Sequence, residues 1–263
     1  MSTQAALEAL YVSTDGSQWY NNDGWDITTQ ACAPGAPPDW AGITCEVNGN
    51  NVHALLLTDF GLQGQLPTEL GLLTNVAYMD FSVNPQLQGT VPTEVGTLEA
   101  FSFEMYNAPG VSGTIPTELG EATRLNRLKW TSDRISGFIP TQLGKLSNLM
   151  YDVSFSATAI SGTLPTQVGA WTKLQMGFSM IGTKVSGTVP TELGMLTGLS
   201  ELDMSGNRFT GTMPSELQKL TNVDSCSLAP APGQASFESI GRLARVHRRA
   251  GREPRRRQAG RGP

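Results

Sequence analysis

The sequence predicts an α/β solenoid, and three observations carry that expectation. An apolar-Pro-Thr/Ser-Glu/Gln-apolar segment recurs seven times, with its prolines at Pro67, Pro92, Pro116, Pro140, Pro165, Pro190 and Pro214. The spacings are 25, 24, 24, 25, 25 and 24 residues, a constancy that marks stacked structural repeats. Upstream of each proline sits an apolar-x-apolar pair, the alternation of a short half-buried strand. The 263 residues hold 29 glycines and 16 prolines with only 16% charged residues, a composition poor in long helices and rich in turns.

Taken in order, residues 1–51 precede the repeats. Leu7, Leu10 and Tyr11 line one face of a short helix, and Trp19, Trp25 and Trp40 can cover the open end of a stacked core. The first repeat reads Val52, Leu55, Leu57, Phe60, Leu62, Gly64, Leu66, Pro67. The clearest copy is Leu199, Leu202, Met204, Asn207, Phe209, Gly211, Met213, Pro214. The paired apolar residues turn inward from a strand. Asn bonds the backbone of neighbouring turns, Gly permits a bend, and Pro ends the ladder where no donor is needed. The following Thr-Glu-Leu-Gly starts a short helical turn, with Thr expected as its cap, Glu at its positive end and Gly as its stop.

Individual repeats depart from this pattern. The Asn position is filled by Asn84 and Asn207, and elsewhere by Phe60, Asp133, Thr158 and Thr183. Three repeats need a one-residue shift, which sets their inward residues as Ala100/Phe103/Met105, Met150/Val153/Phe155 and Gln175/Phe178/Met180. After Ala229 the pattern stops. Nine arginines and one glutamate follow Gly241, a basic stretch expected to be disordered, so residues 230–263 are set apart as a tail. The rest of the chain is acidic, which disfavours nucleic acid as a partner.

The pattern resembles the plant-type leucine-rich repeat, over roughly residues 52–229. Ala5–Tyr11, Asp15–Trp19 and Trp40–Cys45 resemble the N-terminal cap found before such repeats. The resemblance is to receptor-kinase ectodomains and polygalacturonase-inhibitor-like proteins. It implies a right-handed superhelix with a parallel β-sheet on the concave face and short helical turns on the convex face. It also implies a disulfide between Cys32 and Cys45, with two reduced thiols as the other reading. A disulfide points to an oxidising, extracellular or cell-surface location. The N-terminus shows neither the basic start nor the apolar run of a signal peptide. Cys226 reads as a buried thiol or as the partner of a cysteine outside this chain.

Catalytic and cofactor chemistry find no support. The three cysteines and two histidines have no metal-ligand spacing, and no phosphate loop, nucleophile elbow or kinase motif occurs. No apolar run is long enough to span a membrane. Oligomeric state is not legible. The expected function is therefore non-enzymatic recognition of a protein, peptide or glycan through the concave face. On the expected register, Tyr78, Asp80, Phe101, Glu104, Tyr106, Arg127, Lys129, Tyr151 and Asp152 project there, and Tyr and Arg are common binding anchors. His53 projects there too and is read as a lone solvent-facing residue. Two other readings stand beside this one. The residues after each repeat glycine, Gln65, Thr90, Thr114, Phe138, Thr163, Thr188 and Thr212, form an array of the kind ice-binding solenoids present. Alternatively the chain is a receptor ectodomain detached from its membrane anchor. A convex row, Glu69, Glu94, Glu118, Gln142, Gln167, Glu192 and Glu216, is explained by helix-end charge.

Overall fold

Seven short parallel strands, each one repeat further along the chain, stack beside Val52–Leu56 to build the concave wall of the molecule. They are Tyr78–Asp80, Ser102–Tyr106, Arg127–Thr131, Val153–Ser154, Gly177–Ser179, Glu201–Asp203 and Ser225–Ser227, and they define coils two to eight. The computed structural model describes residues 3–32, 40–46 and 51–229. The arginine-rich stretch of 230–263 lies outside the described residues.

The register places like on like. Leu55, Met79, Phe103, Leu128, Val153, Phe178, Leu202 and Cys226 are successive ladder partners, and all but Cys226 are fully buried. Two residues on, Phe81, Met105, Trp130, Phe155, Met180 and Met204 form a second inward column. Aromatic rings stack through the core, with centroids 6.1 Å apart for Phe81–Phe103 and 5.6 Å for Phe103–Trp130. Burying each such side chain contributes about 1.5–3 kcal/mol.

Each coil then turns through a second, lateral sheet. Its strands are Gly64–Gln65, Leu87–Thr90, Gly110–Thr114 and Ile135–Ser136 in one group, and Ser161–Thr163, Lys184–Gly187 and Arg208–Phe209 in another. The third side of coils one to seven is a single 3₁₀ turn, from Thr68–Leu72 in the first to Ser215–Lys219 in the seventh. Proline occupies the residue before every one of these seven turns, in extended conformation, which its ring favours.

Two local expectations are corrected. Thr does not cap the turn. Its hydroxyl instead donates to the neighbouring acidic or amide side chain, as in Thr68–Glu69 at 3.2 Å and Thr117–Glu118 at 3.1 Å. The glycine of Thr-Glu-Leu-Gly does not stop the turn either. It sits inside it, where the next coil approaches closely: a Cβ at Gly71 would lie 2.7 Å from that of Glu94.

The shifted repeats are also only partly as expected. Ala100 is buried, but Met150 is half-buried and Gln175 exposed, and Leu149 and Leu174 take the inward positions. The extra residue lies between these leucines and the strand. In coil five it is absorbed where the amides of Met150 and Tyr151 both donate to the carbonyl of Asn126, each at 2.9 Å. The Asn position of coil four is Ser132, buried with its hydroxyl on Val111 O at 2.7 Å, whereas Asp133 is exposed. Where Asn is present it staples two coils. Asn84 accepts from the amides of Phe60 and Leu62 and donates to the carbonyls of Leu57, Phe81 and Ser82.

The N-terminal helix α1, Thr3–Ser13, buries Ala6, Leu7 and Leu10 against the first coil. Tyr11, Trp19, Trp25 and Trp40 pack into one cluster, with centroids 4.7 Å apart for Trp19–Trp25 and 4.8 Å for Trp25–Trp40. Both Trp19 and Trp25 donate their indole N–H to backbone carbonyls, of Thr14 and Ala41. Strand Ile43–Cys45 pairs antiparallel with Val52–Leu56 and closes that edge of the concave sheet. Cys32 is bonded to Cys45, with Cα atoms 5.5 Å apart.

Candidate functional site

The concave strands alternate, so the longer side chains between the inward columns face the hollow of the solenoid. The structure puts the nine residues expected there in three groups.

The first group centres on Arg127, on the fourth strand. Its guanidinium lies 3.4 Å from Glu104 and 3.7 Å from Asp152, one strand to either side, and 5.2 Å from the ring centroid of Tyr151. Glu104 also accepts from Ser102 Oγ at 2.8 Å and its side chain is only 15% exposed. The Arg127 charge is thus balanced by two carboxylates and its plane fixed by a ring. Its Nε is buried without a hydrogen-bond partner among the described residues.

The second group is an aromatic row. Tyr78 stands 6.1 Å from Phe101, and the row extends on both sides. His53 packs edge-on to Tyr78 at 5.6 Å, and Arg124 lies over Phe101 at 4.6 Å. His53 was expected on this wall only as a lone residue, and Arg124 was not expected there. Arg124 precedes its strand, and its stacking crosses from one coil to the next, so a pattern read along one strand does not register it. Met176 and Leu56 add exposed apolar surface on the same wall.

The third group consists of residues that stand apart. Tyr106, 37% exposed, lies at the far end of its strand, with Thr131 as its ladder partner. Lys129 sits between Glu104 and Ser154 in the ladder and makes no ion pair among the described residues. Asp80 is turned back on its own strand, accepting from the amide of Ser82 at 2.8 Å. Of the other residues between the inward columns, Ala54, Ala77, Ser82, Ser102 and Ser132 are buried. Their side chains are short enough to be covered by neighbouring strands, and the hydroxyls are satisfied internally: Ser82 Oγ accepts from the amide of Tyr106 at 3.1 Å.

On the lateral sheet, Gln65, Thr90, Thr114, Phe138, Thr163, Thr188 and Thr212 are all exposed. Beside them a row of serines is tied down. Ser112, Ser136, Ser161 and Ser186 each donate to the glycine carbonyl of the preceding coil at 3.1–3.3 Å. Among the described residues, no group of three or more His, Cys, Asp or Glu is placed to hold a metal ion, and no helix is long and apolar enough to cross a membrane.

Comparison with known proteins agrees with this architecture. The Leucine Rich Repeat family matches residues 198–220. A probable leucine-rich repeat receptor-like protein kinase of Arabidopsis thaliana is 35% identical over 88 residues, covering 31% of this chain and 9% of that protein. The crystal structure of PEPR1-AtPEP1 superposes with a TM-score of 0.75 at 24% identity, covering 86% of this chain and 31% of that one. The crystal structure of a plant ice-binding protein superposes with a TM-score of 0.70 at 21% identity, covering 86% of this chain and 70% of that one. The chain therefore spans less than a tenth of the kinase and about a third of PEPR1. The fold is a leucine-rich repeat solenoid with an N-terminal helix and cap, and it resembles the ectodomains of leucine-rich repeat receptor kinases.

Proposed function

We propose that the chain is a non-enzymatic recognition module that binds a protein, peptide or glycan through the concave face of coils two to five. In this reading residues 1–51 cap the solenoid, residues 52–229 carry the repeats, and the molecule works outside the cell. The disulfide and the likeness to receptor kinases support that location.

The observation that carries the reading is the fixing of Arg127 between Glu104 and Asp152 and over Tyr151. Beside it, Tyr78 and Tyr151 remain about 40% exposed. Partly exposed aromatic rings beside an immobilised arginine make a surface that loses little conformational freedom on binding. The leucine-rich repeat ectodomain of the receptor kinase HAESA, of the same fold, is solved with a peptide hormone ligand, which favours a peptide among the three ligand classes. Panning the whole chain against a displayed peptide library, with titration calorimetry on the enriched peptides, tests the proposal. Tyr78→Ala, Arg127→Ala and Tyr151→Ala are expected to weaken those peptides while circular dichroism stays unchanged. Equal affinity for all three variants would remove the concave face from consideration.

A second reading rests on the lateral sheet. Its exposed threonines repeat at the strand spacing of about 4.8 Å, and one solenoid of similar fold is an ice-binding protein. Partition of the labelled chain into a growing ice hemisphere tests it, and exclusion from the ice would end it.

A further inference from the structure

The threonine row is held with more regularity than exposure alone requires. A Cβ placed on Gly113, Gly137, Gly187 or Gly211 would lie 2.8–3.0 Å from the Cγ2 methyl of Thr90, Thr114, Thr163 or Thr188 respectively. Each threonine methyl therefore rests on the bare glycine of the next coil. These glycines have φ of 78–89°, which only glycine adopts without strain. The nesting fixes the side chains and keeps the surface level. Among the described residues, none of the exposed threonine hydroxyls of this row has a protein partner, whereas the adjoining serines are bonded internally.

Phe138 breaks this arrangement. It occupies the threonine position of coil four, is 67% exposed, and covers Gly162 with its ring. The interruption lies in the side chains and not in the backbone ladder beneath them. The lateral strands form one group ending at Ile135–Ser136 and a second beginning at Ser161–Thr163. Backbone bonds from Ala159 to Ile135 and from Ser161 to Gly137 still cross the seam. The two groups differ in content. The first carries Gln65, Thr90 and Thr114 beside Gln88 and Ser112; the second carries Thr163, Thr188 and Thr212 beside Ser161, Ser186 and Thr210.

We infer that Phe138 sets the boundary of an ice-binding plate formed by Thr163, Thr188 and Thr212, and that the N-terminal half of the lateral sheet contributes little. The inference rests on the second reading above. A rigid crystal face cannot touch threonines on both sides of a ring that projects between them. The half with an unbroken set of short hydroxyl side chains is the one that can match a lattice, because glutamine is long and adopts many rotamers.

Ice partition and thermal hysteresis of the full chain test this, with thermal melts of each variant confirming that it is folded. Thr188→Tyr is expected to abolish both, Thr90→Tyr to leave both near wild type, and Phe138→Thr to raise both by joining the halves. Equal damage from Thr90→Tyr and Thr188→Tyr, or no gain from Phe138→Thr in an active protein, overturns the inference and leaves the ice reading standing. A wild-type chain excluded from ice overturns the ice reading and this inference with it.

Discussion

Arg127 lies across the ring of Tyr151 with its guanidinium carbon 5.2 Å from the ring centroid, and the two residues come from adjacent coils. The contact orders a planar cation on a surface that is otherwise open. Replacing Arg127 with Lys keeps the charge but removes the plane and the forked donors. Arg127→Lys is expected to weaken a selected peptide about tenfold, or ~1.4 kcal/mol. Its melting temperature should barely move, because partly exposed ion pairs contribute only about 0–1 kcal/mol. Calorimetry and a thermal melt on the same sample measure both, and a lysine variant that binds like the parent would discount the stacking.

Asn84 should be among the most costly polar residues to lose. Asn84→Ala strips partners from two buried amides and three carbonyls at once, and about 3 kcal/mol of stability is expected to go. Ser132→Ala breaks one buried bond to Val111 and should cost about 1 kcal/mol. Urea midpoints of the two variants give the comparison.

Two buried tryptophans make opposite forecasts. Trp171 donates its indole N–H to Leu143 O at 2.9 Å, while the Trp130 indole N–H is buried without a partner among the described residues. Trp130→Phe removes an unpaired donor and should cost at least about 1 kcal/mol less than Trp171→Phe, which orphans a carbonyl. Equal losses in chemical denaturation would mean that Trp130 has a partner after all, such as an internal water.

The disulfide closes a short loop at the cap, with a sequence separation of 13. Loops of that length stabilise by about 3 kcal/mol in the chain-entropy account. Reduction, or Cys32→Ser with Cys45→Ser, is expected to lower the melting temperature. Exchange of amide hydrogens should rise first in α1 and Ile43–Cys45. Uniform exchange along the solenoid would contradict this placement of the effect.

Burial, and secondarily the Asp203 carboxylate, push the Cys226 thiol above its ordinary range. The proton is therefore held more tightly in the folded state than in the unfolded one. The corresponding stability is intact below the ordinary thiol pKa of about 8.5 and is lost as pH rises beyond it. Cys226→Ala should flatten the fall in urea midpoint above that pH. The parent thiol should react slowly with a disulfide reagent at pH 8, and rapid labelling would count against a half-buried, neutral thiol.

The inward columns were readable because strand side chains alternate and the period hardly varies, so a ladder such as Leu55–Met79–Phe103 follows from counting. The phase of coils five and six was not. Met150 and Gln175 fit the spacing to the next apolar residue, but backbone that bulges before the strand lets Leu149 and Leu174 stay inside. The concave site was partly readable for the same reason. Tyr78, Phe101, Arg127 and Tyr151 stand where alternation puts them. Ser82, Ser102 and Ser132 do not, because a hydroxyl that finds an internal partner can be buried at an outward position. Contacts between coils, such as Arg124 over Phe101 and each threonine methyl over a glycine, belong to stacking and have no trace along a single repeat.

The asparagine staples have a mechanical consequence. Asn84 ties coil two to coil one, and Asn207 ties coil seven to coil six through Met180 O and the amide of Val185. Every coil packs on its neighbours in line, so tension applied at the two ends is borne in series, one interface after another. Such a chain gives way as a zip does, releasing about 80 Å of contour length for each coil peeled away. The two stapled interfaces lie close to its ends, where peeling begins, and act as the stops that hold the slider.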